Sequence, residues 1–132
     1  MEEHEQQIRV RYSETDQMGV VYHGNYIPYF EIGRVEWLRN KGIAYKDLEK
    51  SGIALPIVSM QINYKKPARY DDIITVKTKM RAYKSVKIEF DCEIWSDDKQ
   101  LLTTAHFILV FVDMKSGKAM IPPKEILEII KH

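Results

Sequence analysis

The chain has 132 residues, 45% of them hydrophobic, and its 20 basic and 19 acidic residues leave a net charge of +1. One domain of that length buries a sizeable core, and the apolar share is too high for a disordered chain. The near-neutral balance removes the electrostatic case for nucleic acid as a partner. No apolar run approaches the ~20 residues of a membrane helix, and a single cysteine, Cys92, excludes an intrachain disulfide and a cysteine-rich zinc site.

The first residues, Met-Glu-Glu-His-Glu-Gln-Gln, are acidic and polar, unlike a signal peptide, so a soluble cytoplasmic protein is expected. Ile8, Val10 and Tyr12 alternate with Arg9 and Arg11, which is the period of a half-buried strand. A loop follows, with Gly19 as its turn residue. Asn25 has the chemistry of a helix N-cap, and Pro28 is tolerated in a first turn. The predicted helix runs to Asn40 or Lys41, where Gly42 supplies a left-handed stop. Its apolar residues, from Tyr26 to Leu38, cover more than one face, so it is expected to be largely buried. Gly33 inside it costs about 1 kcal/mol relative to Ala, which points to a close approach by another backbone. A shorter helix is predicted over 45–50, closed by Gly52.

Four strands are expected next. Val58, Met60, Ile62 and Tyr64 alternate with polar residues, as do Ile74, Val76, Thr78 and Met80. The clearest period of two runs through Val86, Ile88, Phe90, Cys92 and Ile94. The last strand, about 101–112, ends in Phe107-Ile-Leu-Val-Phe-Val112, apolar on both faces, and reads as central in the sheet. Asp97-Asp98-Lys99 marks a hairpin turn, and Pro122-Pro123 precedes a short helix over 124–131. The order is one strand, one buried helix and four antiparallel strands. It fits an α+β architecture in which a five-stranded sheet wraps a single long helix, as one domain over residues 1–132.

The most chemical stretch lies between Tyr12 and Tyr26. Four of the six glycines fall between Gly19 and Gly42, and Asp16 lies seven residues before His23, itself two before Asn25. A short loop can thereby bring a carboxylate to the unpaired N–H groups of a helix start. Such N–H groups polarise a carbonyl, and a carboxylate acts as base or nucleophile.

The spacing Tyr12-x-x-x-Asp16-x-x-Gly19-Val-Val-Tyr22-His23-x-Asn25-Tyr26 resembles that of the hotdog-fold acyl-CoA thioesterases. The likeness is to the 4-hydroxybenzoyl-CoA thioesterase type and the Tol-Pal-associated acyl-CoA thioesterases. Leu55-Pro-Ile-Val-Ser59 and Tyr70-Asp-Asp72 extend it, and it covers roughly Ile8 to Val112. The resemblance implies hydrolysis of an acyl-CoA to a free acid and coenzyme A. It places Asp16 on the catalytic carboxylate and the His23 backbone N–H on the carbonyl-polarising donor. Glu31 is the reserve carboxylate, because a related branch carries its catalytic group about two turns into the helix.

Substrate-binding candidates are Tyr22, Tyr26, Phe30 and Ser59, with Tyr29, Ile57 and Met60 as further pocket residues. Lys65, Lys66 and Arg69 are expected to meet the coenzyme A phosphates. No metal and no cofactor is implied, since coenzyme A belongs to the substrate, and a homodimer or homotetramer is expected.

Plainer roles stand beside these. Asp16 could simply bond the N–H groups of its own turn, and the His23 ring could be a polar cap. Glu31 could be an exposed residue paired with Arg34, and the basic trio solvated edge charges. Cys92 reads as a small core residue, His106 as structural, and His4 and His132 as lying in frayed ends. Two rival functions remain: a hotdog dehydratase and a non-catalytic acyl-CoA-binding protein.

Overall fold

A computed structural model of the protein describes residues 3–131; His132 lies outside them. The chain runs β1 (Glu3–Arg9), α1 (Tyr26–Asn40), α2 (Tyr45–Lys50), β2 (Ile53–Ala54), β3 (Ile57–Tyr64), β4 (Ile73–Lys84), β5 (Lys87–Ser96), β6 (Leu101–Val110), β7 (Val112–Asp113) and α3 (Lys124–Lys131). Five strands form one antiparallel sheet in the order β1-β4-β5-β6-β3, and β2 pairs with β7 in a second, two-stranded sheet.

The sheet curls around α1. Alternate residues of its strands point inward, so Ile74, Val76 and Thr78 of β4, Ile88, Phe90 and Ile94 of β5 and Phe107 of β6 are fully buried. Against them α1 sets Phe30, whose ring centroid is 5.4 Å from that of Phe107, and Trp37, 5.1 Å from Phe90. Aromatic pairs at this separation add to the gain from area burial. Cys92 is buried in the same layer, as expected, and burial pushes its thiol up to about 12.

Several boundaries differ from the sequence reading. The first strand starts at Glu3 and ends at Arg9. Val10 leaves it, donating its N–H to the Asp72 carbonyl, and Tyr12 opens a 3₁₀ turn with its ring exposed. His4 is therefore not frayed: it pairs opposite Thr78. Apart from Ile8, which packs on the core, β1 is held mainly by its ladder with β4, so it carries little apolar patterning, which hid it. The run Phe107–Val112 is not one central strand. β5 occupies the centre; β6 ends at Val110, and Val112 crosses into the small sheet. A change of sheet leaves no mark on the hydrophobic period.

The helix α1 is buried on one stripe, Tyr26, Tyr29, Phe30, Gly33, Trp37 and Leu38, while Pro28, Glu31 and Ile32 are exposed. Gly33 is required by close approach, though of side chains and not of backbone. A Cβ there would stand 2.5 Å from Thr78 Oγ1 and 2.8 Å from Val76 Cγ1. Asn25 stands at the N-cap position of the helix, as expected, but its side chain does not make the capping bond. A 3₁₀ turn, His23–Asn25, feeds directly into α1, and the Asn25 amide instead donates to the Glu14 carbonyl at 2.9 Å. Gly42 and Gly52 end α1 and α2 with φ of +93° and +91°, a conformation glycine takes without strain.

Candidate active site

The loop between β1 and α1 is a tight turn built on Asp16. Its N–H donates to the Val20 carbonyl at 2.8 Å, Gly19 N–H returns to its carbonyl at 3.0 Å, and Thr15 bridges Val21. Gly19 turns the chain with φ +78°. The carboxylate takes part through one oxygen: Asp16 Oδ1 accepts from Met18 N–H at 2.8 Å and, more weakly, from Val20 N–H at 3.4 Å. The turn-forming role and a chemical role are thus compatible. Oδ1 holds the loop, and Oδ2 has no hydrogen bond among the described residues. Val21 N–H donates to the Ala68 carbonyl at 2.8 Å, which fastens the loop to the β3–β4 connection.

The turn His23–Asn25 ends beside the same loop. Among the described residues the His23 N–H has no acceptor, as expected at the start of a helical run. The His23 carbonyl accepts from the Tyr64 hydroxyl at 3.1 Å, and its ring packs on Tyr22 at 4.3 Å. The N-terminal end of the α1 dipole lies here and favours negative charge. Tyr26, the first residue of α1, is buried. Its hydroxyl accepts from Ala68 N–H at 3.1 Å, and its ring stands edge-on to Tyr64 at 5.4 Å. Burial pushes its phenol pKa up.

Asp16, His23, Tyr26, Tyr64, Lys65 and Lys66 line one cavity of about 290 Å³. An adjoining trough of about 520 Å³ shares Lys66 and Pro67 with it and adds Arg69, Asp72 and Gln100. The structure therefore brings together Asp16, His23, Tyr26 and the two lysines, with Arg69 next door. Glu31 is elsewhere, at a second cavity of about 260 Å³ together with Arg34, Tyr45, Leu55, Ile57 and Leu109. Phe30 is a fully buried core residue, and Ser59 is exposed at the bulge of β3, paired with Ile108. Tyr22 is half exposed and covers Gly24 rather than the cavity. The ring of His106 sits on the sheet's outer face between Glu89 (3.0 Å) and Asp91 (2.9 Å).

Two residues escaped the sequence reading of the site: Tyr64, which lines the cavity and bonds the His23 carbonyl, and Glu14, which holds the loop. The Glu14 carboxylate accepts from Arg11 N–H at 2.8 Å, from the Arg11 guanidinium at 3.1 Å and from the Tyr29 hydroxyl at 2.8 Å. The Glu14 carbonyl accepts from Tyr22 N–H at 3.0 Å and from Asn25. Two residues before Asp16, it clamps the loop to the first turns of α1. Burial alone would raise the Glu14 pKa. The Arg11 N–H, the Tyr29 hydroxyl and the Arg11 charge outweigh that and hold the carboxyl below its ordinary value. A visible signal existed: buried Tyr hydroxyls need partners, and Tyr29 lies on the helix face turned to this loop.

The class follows from this architecture together with its likenesses. Residues 10–130 match the family model of the thioesterase-like superfamily, and the chain belongs to that family, with its hotdog fold and thioester-hydrolase chemistry. YneP of Bacillus subtilis (strain 168) is 38% identical over 112 residues, covering 85% of this chain and 81% of YneP. The acyl-CoA thioester hydrolase YbgC of Escherichia coli O6:H1 is 32% identical over 125 residues, 95% of this chain and 93% of YbgC. A DHNA-CoA thioesterase from Staphylococcus aureus superposes with a TM-score of 0.94 at 32% identity, covering 98% of this chain and 89% of that one.

Proposed function

We propose that this protein hydrolyses acyl-CoA thioesters, with Asp16 as the reacting carboxylate and the His23 backbone N–H as the donor to the thioester oxygen. The observation that carries the reading is the shared cavity. A carboxylate with one uncommitted oxygen and an unpartnered N–H at the start of α1 line the same space. An N–H fixed by backbone is worth most where charge develops, on the oxygen of the tetrahedral intermediate. Asp16 either removes a proton from water as it attacks, or attacks itself to give a mixed anhydride that water opens. In both routes the carbon–sulfur bond breaks, and coenzyme A leaves as a thiolate whose acid has a pKa near ~8.5. No strong general acid is required. Lys65 and Lys66 at the cavity and Arg69 in the adjoining trough supply positive charge for the coenzyme A phosphates.

The test compares Asp16→Asn with Glu31→Gln. The first keeps size and removes charge, so the protein should fold and bind acyl-CoA while kcat falls by at least ~100-fold, the lower end for a positioned base. Glu31→Gln should cost less, since Glu31 lines a different cavity. Thermal melts of both variants separate a folding defect from a chemical one. Near-normal turnover by Asp16→Asn with a dead Glu31→Gln would move the chemistry to the helix carboxylate.

A further inference from the structure

The cavity beside Glu31 holds the most exposed contradiction in the core. Arg34 is only 7% exposed, and its Nη1 is fully enclosed without a hydrogen-bond partner. Among the described residues it makes no ion pair. Its guanidinium lies 4.5 Å over the Phe107 ring, which offers a weak, non-directional contact. Burial pushes its pKa down, opposed at longer range by Cys92, Glu31 and Tyr45, yet an arginine does not give up its proton in a protein. A buried, permanent cation without a hydrogen-bonded anion is costly. Most of the remaining lining, including Leu55, Ile57 and Leu109, is apolar, with Glu31 and the Tyr45 hydroxyl as its other polar groups.

The position of this cavity ties it to the cleft of Asp16. The helix α1 runs antiparallel to the edge strand β3: Tyr26 meets Tyr64 at one end, and Arg34 shares a cavity with Ile57 at the other. Eight residues of helix, at 1.5 Å each, separate Tyr26 from Arg34 by about 12 Å. Between them β3 turns Met60 and Ile62 toward the inner face, opposite Phe107 and Ala105 of β6. Met60 nevertheless stays 46% exposed. The two cavities share no lining residue, and the inward side chains of β3 form an apolar seam along the stretch between them.

We propose that the seam carries the acyl chain and that Arg34 binds a carboxylate at its far end, so that the preferred substrates are coenzyme A monothioesters of dicarboxylic acids. This rests on the reading of the Asp16 cleft as the thioester site. A guanidinium matches a carboxylate in a two-pronged geometry. Glu31 opposes an anion at the cavity mouth, but it is exposed and its field is screened by water and salt.

The experiment compares ω-carboxyacyl-CoAs with methyl-ended acyl-CoAs of the same length, over a homologous series. The wild-type protein should favour the acid-ended member at least ~10-fold in kcat/KM at one preferred length, a modest effect for a charge-assisted pair. Arg34→Met keeps the length and apolar body of the side chain. Read as the ratio of kcat/KM for the two series within each variant, the preference should disappear in Arg34→Met, and Arg34→Lys should restore part of it. Isothermal titration of both ligands into the Asp16→Asn protein gives the same comparison without turnover. Tighter binding of the acid-ended ligand, lost in Asp16→Asn/Arg34→Met, supports the assignment. Equal affinities, or a preference that survives Arg34→Met, overturn it. Failure of the thioester reading has a different signature: Asp16→Asn would still turn over, or the wild type would release no thiol from either series.

Discussion

Tyr29→Phe isolates the clamp on the Asp16 loop. It deletes one oxygen from a ring that is fully buried, leaving the packing of that ring intact. What disappears is the hydroxyl that donates to Glu14 Oε1 at 2.8 Å. The Glu14 side chain is 15% exposed, so water replaces the bond only in part. A hydrogen bond to a charged group contributes about 1.5–3 kcal/mol. Because three donors from Arg11 remain, the lower half of that range, about 1.5–2 kcal/mol at neutral pH, is the expected loss. For a chain of this size each kcal/mol moves Tm by about 3–5 °C, so the melt should fall by about 5–10 °C. Protein concentration must be held constant, since any self-association would shift Tm on its own. The pH dependence has a fixed sign. The folded-state pKa of Glu14 is depressed, so its contribution is complete above the ordinary Glu value of about 4.3 and is lost as pH falls through the lower folded value. The stability gap between wild type and Tyr29→Phe should therefore narrow in acid. A double-mutant cycle with Glu14→Gln should return a coupling of about 1 kcal/mol. A coupling of zero, or a gap that is constant down to about pH 3, would refute the clamp.

Three further outcomes are expected. Gly33→Ala should destabilise the protein by about 1–2 kcal/mol, because crowding Thr78 and Val76 outweighs the roughly 1 kcal/mol gained in helix propensity; urea unfolding measures it. Replacing Lys65, Lys66 and Arg69 together by Ala should raise KM for acyl-CoA more than it lowers kcat, since phosphate contacts are made equally in ground and transition states. An unchanged KM would place the nucleotide elsewhere. Light scattering should give a mass of at least twice 15.6 kDa, because the edge strand β3 leaves Val58, Met60 and Tyr64 about half exposed; a clean monomer at micromolar concentration would contradict this.

The fold was legible wherever a hydrophobic period ran without interruption. The alternation through Ile88, Phe90, Cys92 and Ile94 located β5, and the stop at Gly42 located the end of α1 to within a residue. The misreadings share a cause. β1 is an edge strand whose inward positions include His4 and Gln6, so backbone pairing, invisible to composition, decides its extent. Phe107 to Val112 is continuous in sequence but divided between two sheets. Within the site, Asp16 and His23 could be paired because a short loop and a helix start constrain each other locally. Glu14 and Tyr29 lie fifteen residues apart, and only the folding back of the loop onto α1 makes them partners. Arg34 was hidden differently: a helical arginine reads as solvent-facing, and nothing local announces that its face is covered.

Both cavities depend on one helix, and this gives a way to separate packing from chemistry. Phe30 on Phe107, Trp37 on Phe90 and Gly33 against Thr78 fix α1 to the sheet along its length. Those contacts set the height and rotation of the helix, hence the position of both Arg34 and the His23 turn. The Glu14 clamp, by contrast, acts only at the N-terminal end and only on the loop. Gly33→Ala and Tyr29→Phe should thus cost similar stability while differing in kinetics. Shifting the whole helix disturbs both cavities and should change KM and kcat together. Loosening the clamp leaves the Arg34 cavity in place and displaces the Asp16 loop alone, so its effect should fall on kcat. If Tyr29→Phe instead changed KM with kcat intact, the loop would be a binding element, and the carboxylate it carries would not be the reacting group.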